Sequence, residues 1–98
     1  MRSPDAPKTP PPNFVPEKEK ALALGFTKTP GINVVLPGTV VPCQFKFTYI
    51  WMNNRSAFWA KPVAIDNKSV KCWIWNGASW SYKELSLKDI DAFICETF

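Results

Sequence analysis

The distribution of proline and tryptophan constrains this chain more than any other feature. All five tryptophans lie between Trp51 and Trp80, whereas nine of the ten prolines precede Cys43. Proline is excluded from helix interiors and central strands because it lacks an N–H group and has a fixed φ angle. Aromatic and β-branched residues favour pleated sheet. The sequence therefore predicts a Pro-rich N-terminal arm over residues 1–42 and an aromatic-rich β domain over residues 43–98.

The length and the charge of the chain limit the kinds of function that it can have. Ninety-eight residues allow one small domain, and a core of that size gains from aromatic side chains, a disulfide or an oligomer interface. Five basic and three acidic residues precede Cys43, and seven basic and five acidic residues follow it, so each part carries +2. Because Lys and Arg are scattered singly, the sequence does not favour a nucleic-acid partner.

Targeting and membrane signals are not evident in the sequence. Met1–Lys20 contains no apolar run of the kind that a secretory signal needs. No stretch approaches the ~18 apolar residues of a membrane span. We therefore expect no membrane partner, and we expect any export to use another route.

Residues 1–16 predict an extended, polyproline-type arm, because prolines recur among polar residues. Phe14 and Val15 are the bulky apolar side chains of this segment. They would anchor the arm if it lay on a neighbouring subunit. A disordered tail is the alternative interpretation.

Residues 16–25 predict one short helix, which begins with a proline and ends with a glycine. Glutamates in its first turn complement the helix dipole. A helix of this length is unstable in isolation, so we expect Leu22, Leu24 and Phe26 to pack on another surface.

The segment between this helix and the first cysteine contains two Pro-Gly pairs, each of which indicates a turn. Between them, residues 32–36 (INVVL) predict a short strand that contains Val34, and residues 39–41 (TVV) are a second strand candidate. The surrounding prolines confine such strands to a sheet edge, in the same subunit or in the next one.

From residue 45 onward, apolar and polar positions alternate with the period of a strand. Polar turn residues interrupt this pattern, and Asn76-Gly77 is a strong hairpin signal. A helical or 3₁₀ turn is expected at 85–90. We predict five strands, at 45–53, 56–66, 69–76, 79–85 and 91–98.

This order of elements predicts an all-β fold. We expect a small five-stranded barrel or a curled antiparallel sheet, in which the last strand lies beside the first. Over residues 43–98 the order resembles the topology of Src-homology-type and Sm-like barrels. A resemblance of topology does not identify a function.

The cysteines allow several interpretations. Cys43 begins the first predicted strand and Cys95 lies in the last, so the two come within disulfide distance if those strands pair. Two buried free thiols, or a link to another subunit, are the alternatives. Cys72 shares a face with Val70 and Ile74, which predicts a buried structural thiol.

No catalytic, metal or cofactor site is predicted. The chain has no histidine that could act as a base for a cysteine or serine nucleophile, and its cysteines lack the spacing of zinc sites. Asp89, Asp91 and Glu96 lie close together in sequence, where we expect capping or solvated carboxylates rather than a catalytic pair. We therefore expect a protein that is not an enzyme.

The tryptophans of the third predicted strand point away from the expected interior. Trp73 and Trp75 alternate with Ile74, so they would form an outward aromatic patch with Trp59 or Trp80. An apolar patch of that size indicates a contact surface. We favour a subunit interface over internal packing and over a groove for a small ligand.

Four stretches of the second part form a further pattern: PCQFKFTYIWMNN, AFWAKP, VKCWIWNG and LKDIDAFIC. This pattern resembles a family of small uncharacterised proteins of spore-forming Firmicutes. The matching positions are Pro42, Cys43, Tyr49, Trp51, Phe58, Trp59, Pro62, Val70, Trp75, Trp80, Leu87, Ile90, Phe93 and Cys95. The family has an aromatic residue directly after its Phe-Trp pair, whereas this chain has Ala60-Lys61. The resemblance implies a fold and a structural role, and it brings no catalytic residue.

The leading hypothesis is a non-enzymatic structural subunit that self-associates into an oligomer or filament. We expect it at a spore surface or outside the cell, with a cytoplasmic location as the alternative. The interface candidates are Phe14, Val15, Leu22, Leu24, Val34, Trp59, Trp73, Trp75 and Trp80. The alternative function is a binding module for single-stranded nucleic acid or Pro-rich peptides, which would use exposed tryptophans with Lys46, Arg55, Lys61 and Lys71.

Overall fold

Five antiparallel strands form one sheet in the order β4-β3-β2-β1-β5. The structure is a computed structural model, and it describes residues 6–28, 31–32 and 34–95. The strands are β1 (Thr48–Met52), β2 (Ala57–Ile65), β3 (Ser69–Trp75), β4 (Trp80–Ser86) and β5 (Ile90–Cys95). The all-β prediction is confirmed, and so is the position of the last strand, since β5 pairs antiparallel with β1.

The sheet is open rather than closed into a barrel. In the described part of the chain, β4 and β5 are the two outer strands and do not pair with each other. The chain covers the outer edge of β5 by itself, because Thr27 pairs with Ala92 and the Phe93 N–H donates to the Phe26 carbonyl at 3.0 Å. This cover gives the β5 edge the protection against edge-to-edge association that closure gives in a barrel.

Two backbone irregularities shape the first two strands. The first strand begins at Thr48 rather than at residue 45, because Phe45 has a φ angle of 66°, which is incompatible with a strand. Pro62 disturbs β2 as predicted: the register against β3 shifts between Pro62 and Ala64, since proline has no N–H group for the ladder.

Polar side chains close the turns between strands. The Asp66 carboxylate accepts the backbone N–H groups of Lys68 and Ser69, each at 2.8 Å. Hydrogen bonds from the Lys68 backbone, and then from the Ser69 side chain and backbone, lower the pKa of Asp66. In the next hairpin the Asn76 side chain accepts two backbone N–H groups, and Gly77 supplies a φ angle of 99°. The turn residues thus act as the sequence predicts.

The predicted helix is present as α1 (Lys18–Ala23), and its end is as expected. Gly25 has a φ angle of 79°, and the N–H groups that follow the helix donate back to the carbonyls of Leu22 and Ala21, which is a Schellman motif. The packing differs from the prediction. Ala21 is fully buried against the sheet, whereas Leu22 is 52% exposed and Leu24 is 61% exposed.

The edge strand expected at residues 32–36 is not found as a strand among the described residues of that segment: Ile32 lies in a turn, Val34 forms a single β-bridge, and residues 35–36 are irregular, while residue 33 lies outside the description. The TVV strand candidate is wrong. That stretch is helical, as α2 (Pro37–Val40) followed by a 3₁₀ turn (Val41–Cys43). Pro37 occupies the first turn of α2, where its fixed φ angle favours a helix over the β conformation that valines prefer.

Alternation along the strands divides the sheet into two faces. The buried residues of the aliphatic face are Val35, Val40, Cys43, Ile50, Ala60, Val70, Cys72, Leu87, Ile90, Phe93 and Cys95. The buried residues of the aromatic face are Ala21, Tyr49, Trp59, Ala92 and Ile94. Phe26 packs against both groups, because the chain passes from one face to the other around the edge of β5.

A disulfide between Cys43 and Cys95 fastens the cover of the aliphatic face. The predicted pairing is confirmed, with a Cα–Cα distance of 5.3 Å. The prediction placed Cys43 in the first strand, opposite Cys95. In the structure, Cys43 lies in the 3₁₀ turn, and Thr48 is the strand residue opposite Cys95. The bridge therefore joins the covering layer to the last strand. Cys72 is a free thiol that is fully buried, as predicted.

Candidate interaction site on the aromatic face

The aromatic face carries two adjacent rows of aromatic side chains across the sheet. In the first row, Trp75 lies opposite Trp80, and Trp59 lies opposite Tyr49. The ring centroids of these two pairs are 5.1 Å and 5.3 Å apart. The row forms because residues at alternate positions of neighbouring strands point to the same side of the sheet.

The second row is displaced from the first by two residues on each strand. Trp73 is opposite Tyr82 on one side and Lys61 on the other, and the Trp73 and Tyr82 ring centroids are 4.9 Å apart. The Lys61 ammonium lies 5.7 Å from the centre of the Phe47 ring. The Trp73 indole N–H is buried without an acceptor in the described part of the chain. The ring contact between Trp73 and Tyr82, rather than an indole hydrogen bond, therefore holds Trp73 in this row.

The N-terminal arm crosses the aromatic face from β4 towards β5. The Trp80 indole N–H donates to the Thr9 carbonyl, and the Trp59 indole N–H donates to the Phe14 carbonyl, both at 3.0 Å. The Phe14 and Trp59 rings meet edge to face with centroids 5.8 Å apart. A tryptophan suits this role because its ring packs against apolar groups while its N–H group binds an acceptor.

An open groove of about 530 Å³ lies between these two anchor points. Residues 10–15 line it from the arm, and Trp59 and Trp75 line it from the sheet. Three successive prolines keep the arm extended here, because a residue that precedes proline avoids the helical region. An extended, Pro-rich backbone has no internal hydrogen bonds. Its carbonyls are therefore available to the indole N–H groups.

Helix α1 fixes the arm to β5. The Lys18 ammonium is hydrogen-bonded to the Asp91 carboxylate, and the Lys28 ammonium lies 3.7 Å from the other carboxylate oxygen. These charged groups are partly exposed, so each pair contributes at most about 1 kcal/mol. The burial of Ala21, which shares a packed group with Ala92, also holds the helix against the sheet.

The aromatic patch predicted from the sequence is present, and the arm of the same chain covers part of it. Trp59 is only 6% exposed, and Trp75 and Trp80 are half-buried. The covering residues remain accessible, since Phe14 is 48% exposed and Val15 is 67% exposed. The predicted aromatic and arm residues of the interface are thus brought together, but within one chain.

Two other interface candidates lie elsewhere. Val34 packs against the aliphatic face, and Trp73 belongs to the second aromatic row rather than to the groove. Sequence reasoning missed Tyr49 as the β1 member of the first row and Thr9 as an anchor of the arm. The signal for Thr9 was its position directly before the three consecutive prolines.

The basic residues named for nucleic-acid binding do not form one cluster. Lys61 and Lys71 lie on strands β2 and β3, and Lys71 is opposite Glu84, which offsets its charge. Arg55 lies in the turn between β1 and β2, at the end of the sheet opposite to Lys71. Lys46 precedes β1. The register therefore gives no continuous basic stripe of the kind that nucleic-acid binding uses.

The acid and thiol groups lack a catalytic arrangement in the described part of the chain. Burial raises the pKa of the Cys72 thiol to about 12, so the nucleophilic thiolate is scarce at neutral pH. Asp91 pairs with lysines and Asp89 is exposed, whereas Glu96 lies outside the described residues. Among the described residues there is no group of three or more potential metal ligands, nor a helix long and apolar enough to cross a bilayer.

Comparison with known proteins finds no relative of this chain. No protein-family model matches the chain, and neither the curated proteins nor the solved structures contain a match. These comparisons therefore assign no function to the aromatic face.

Proposed function

We propose that this chain is a non-enzymatic structural subunit that self-associates through its N-terminal part into an oligomer or filament. The distribution of exposed apolar side chains carries the proposal. Within the described residues, the exposed large apolar side chains are Phe14, Val15, Leu22, Leu24, Ile32, Leu36, Val41 and Phe45. All of them precede β1, so the most exposed apolar groups belong to the layers that cover the sheet, whereas the large apolar side chains of the strands are buried or half-buried. Such a surface is typical of a protein–protein contact.

Seven of these side chains belong to the two covering layers, and the exposed groups of each layer are named here as one patch. The arm patch, in the layer over the aromatic face, consists of Phe14, Val15, Leu22 and Leu24. The turn patch, in the layer over the aliphatic face, consists of Leu36, Val41 and Phe45. Contact between two different patches is head-to-tail, and it produces rings or filaments. A twofold dimer would instead pair each patch with itself.

Phe45 supports a partner outside the chain. Its side chain is 61% exposed, and its φ angle of 66° places it in the left-handed region. That conformation costs a residue with a bulky side chain about 1–2 kcal/mol. The exposed ring gains little from packing within its own chain. A strained backbone that holds an aromatic ring in solvent is expected where the ring contacts another molecule.

The disulfide supports the proposed location. Disulfides persist in oxidising compartments and are rare in the cytosol. The Cys43–Cys95 bridge therefore favours a spore-surface or extracellular setting over a cytoplasmic one. The resemblance to proteins of spore-forming Firmicutes implies the same setting.

Sedimentation velocity over a wide concentration range tests self-association. We expect the mass of the wild-type chain to rise above 11.1 kDa with concentration. The double variant Leu36→Gln, Val41→Thr removes apolar surface from the turn patch and should remain monomeric. Asn67→Gln, in the exposed turn between β2 and β3, is the control and should behave as wild type. A wild-type chain that remains at 11.1 kDa throughout would contradict the proposal.

Phe45→Asn separates assembly from stability. Asparagine tolerates the left-handed conformation better than phenylalanine, so the free energy of unfolding should stay unchanged or rise by up to about 1 kcal/mol. The loss of the exposed ring should weaken assembly. Urea unfolding and sedimentation of the same sample measure the two effects. A variant that assembles as strongly as wild type would show that the ring has no partner.

A further inference from the structure

We propose that the arm segment, residues 9–15, is exchanged between copies of the chain. The segment of one copy then lies on Trp59, Trp75 and Trp80 of the next copy, whose side chains form the arm-binding groove once their own arm has left them. The closed arrangement, in which the segment lies on its own sheet, is one of two forms of the same contact. This inference rests on the proposed self-association and names the contact that connects the copies.

The arm segment can leave the groove without unpacking the domain. None of the described residues 6–16 is buried, and none belongs to the buried groups of either face. In the described part of the chain, the first buried residue is Ala21 in helix α1. The core therefore begins at the helix, and the arm segment is a cover laid over it.

The contacts that hold the segment can be made equally well between copies. The Trp59 and Trp80 indole N–H groups donate to backbone carbonyls, those of Phe14 and Thr9, and the Phe14 ring packs on Trp59. A second copy presents the same carbonyls and the same ring in the same order. Its prolines keep the segment extended before it docks, so little conformational entropy is lost on binding.

The pivot for exchange lies directly before helix α1. Val15 is 67% exposed, and Glu17, the residue that precedes the helix, is also exposed. The helix itself remains on its own β5, because Ala21 is buried there and Lys18 is bonded to Asp91. Only the residues before α1 need to swing outward. Exchange of an identical element about a short hinge is a low-cost route to association.

Concentration decides between the closed and the exchanged forms, because both make the same contacts. A tethered segment has an effective concentration that is roughly millimolar for a short linker, so dilute chains keep the closed form. Where the arm and turn patches hold copies side by side, the neighbouring groove becomes available at a comparable local concentration. Each copy donates one segment and accepts one, and the resulting contact is head-to-tail.

Two full-length variants that complement each other test the exchange. The arm variant, Pro11→Gly with Phe14→Ser, keeps the groove and loses the stiff, ring-bearing segment. The groove variant, Trp59→Phe with Trp80→Phe, keeps the segment and loses both indole donors. The arm variant carries ¹⁵N-labelled indoles, and their N–H resonances are recorded by NMR while the unlabelled groove variant is added.

We expect the Trp59 and Trp80 resonances of the arm variant to move towards their wild-type positions and to saturate, while the Trp51 resonance stays in place. Unlabelled arm variant is the matched control, and it should move neither resonance because it supplies no functional segment. This readout reports occupancy of the groove directly, and contacts through the turn patch would not move the two indole resonances. If the arm variant does not fold, Phe14→Ser alone replaces it.

The outcomes separate this inference from the proposed function. If the resonances do not move while the wild-type chain gains mass with concentration, self-association does not use arm exchange, and only this inference is overturned. If the resonances do not move and the wild-type chain remains at 11.1 kDa, both proposals are overturned. Saturable movement of both resonances supports the exchange.

Discussion

The two faces of the sheet are covered in different ways. The cover of the aliphatic face, residues 34–43, buries Val35, Val40 and Cys43 and is joined to β5 by the disulfide. The cover of the aromatic face, residues 9–24, has Ala21 as its buried residue. One face is therefore closed by buried side chains and a disulfide, whereas the other is covered by helix α1 and by an arm, residues 9–16, that has no buried residue.

The chemistry of the side chains explains this difference. Aliphatic groups need only close packing, which any apolar cover provides. An indole ring also carries an N–H group that requires an acceptor when water is removed. A Pro-rich segment supplies free carbonyls, because proline has no N–H group with which to form a helix or a strand. The aromatic face thus binds a backbone, whereas the aliphatic face binds side chains.

The largest difference in the free energy of unfolding is expected between alanine variants of two phenylalanines, one from each face. Phe93 is 1% exposed and stacks on Phe26 with ring centroids 5.0 Å apart. Phe93→Ala should lower the free energy of unfolding by about 3–5 kcal/mol, which would leave a domain of this size largely unfolded. Phe14→Ala removes a half-exposed ring from the arm and should cost only about 1 kcal/mol. Urea unfolding followed by circular dichroism measures both. Similar losses in the two variants would contradict the distinction between the faces.

The disulfide should give the next largest effect. Its cysteines are 52 positions apart in the sequence, so the chain-entropy model assigns the bridge about 4 kcal/mol. The double variant Cys43→Ala, Cys95→Ala should lose that stability in a urea titration. Cys72→Ala, which removes a buried thiol that forms no bridge, is the control and should cost about 1 kcal/mol. Equal losses would mean that the covalent link adds nothing to the cover of the aliphatic face.

Two tryptophans of the aromatic face should respond differently to the same substitution. Trp59→Phe removes a donor that binds the arm and should cost about 1 kcal/mol. Trp73→Phe removes a buried donor that has no acceptor in the described part of the chain, so relief of desolvation should offset the lost ring contact. Acrylamide quenching of the remaining tryptophans should rise in the Trp59 variant alone. A greater loss for Trp73→Phe would show that the arm is not held as described.

The smallest effect concerns alkaline pH. Burial raises the pKa of Tyr49 above its ordinary value of 10.0, so the folded chain retains the phenolic proton longer than the unfolded chain does. The Tyr49 contribution to stability is therefore complete below pH 10 and is lost as the pH rises through the pKa of the folded state. Tyr49→Phe should reduce this decline in urea titrations on either side of pH 10. An identical decline in the variant would assign it to other groups.

The sheet could be predicted because its signals are local. Alternation marks the strands, Asp66 and Asn76-Gly77 mark the turns, and Pro62 marks the bulge. The helical turns over residues 37–43 could not be predicted, because the β propensity of the valines conflicts with the helical preference of Pro37. Phe45 adopts its left-handed conformation in a tertiary setting, where its N–H group donates to the Pro62 carbonyl at 2.7 Å.

The aromatic face could be predicted from the sequence, whereas the contacts of the arm that covers it could not, because they too depend on tertiary packing. The parity of Trp73 and Trp75 is enough to predict an aromatic face. The bond between Thr9 and Trp80 joins residues that are 71 positions apart, and no periodicity encodes such a contact. The burial of Ala21 in place of the neighbouring leucines depends on how closely α1 approaches β5. That distance is a property of the packed molecule.

Native-state hydrogen exchange tests the difference between the two faces most directly. The Trp59 indole N–H reports release of the arm, and the Phe93 backbone N–H reports opening of the sheet edge and core. We predict that the indole exchanges through a local opening of small free energy that is insensitive to low urea, whereas the Phe93 amide exchanges only through global unfolding. Equal protection of both groups, with the same urea dependence, would show that the arm belongs to the core and would contradict this account.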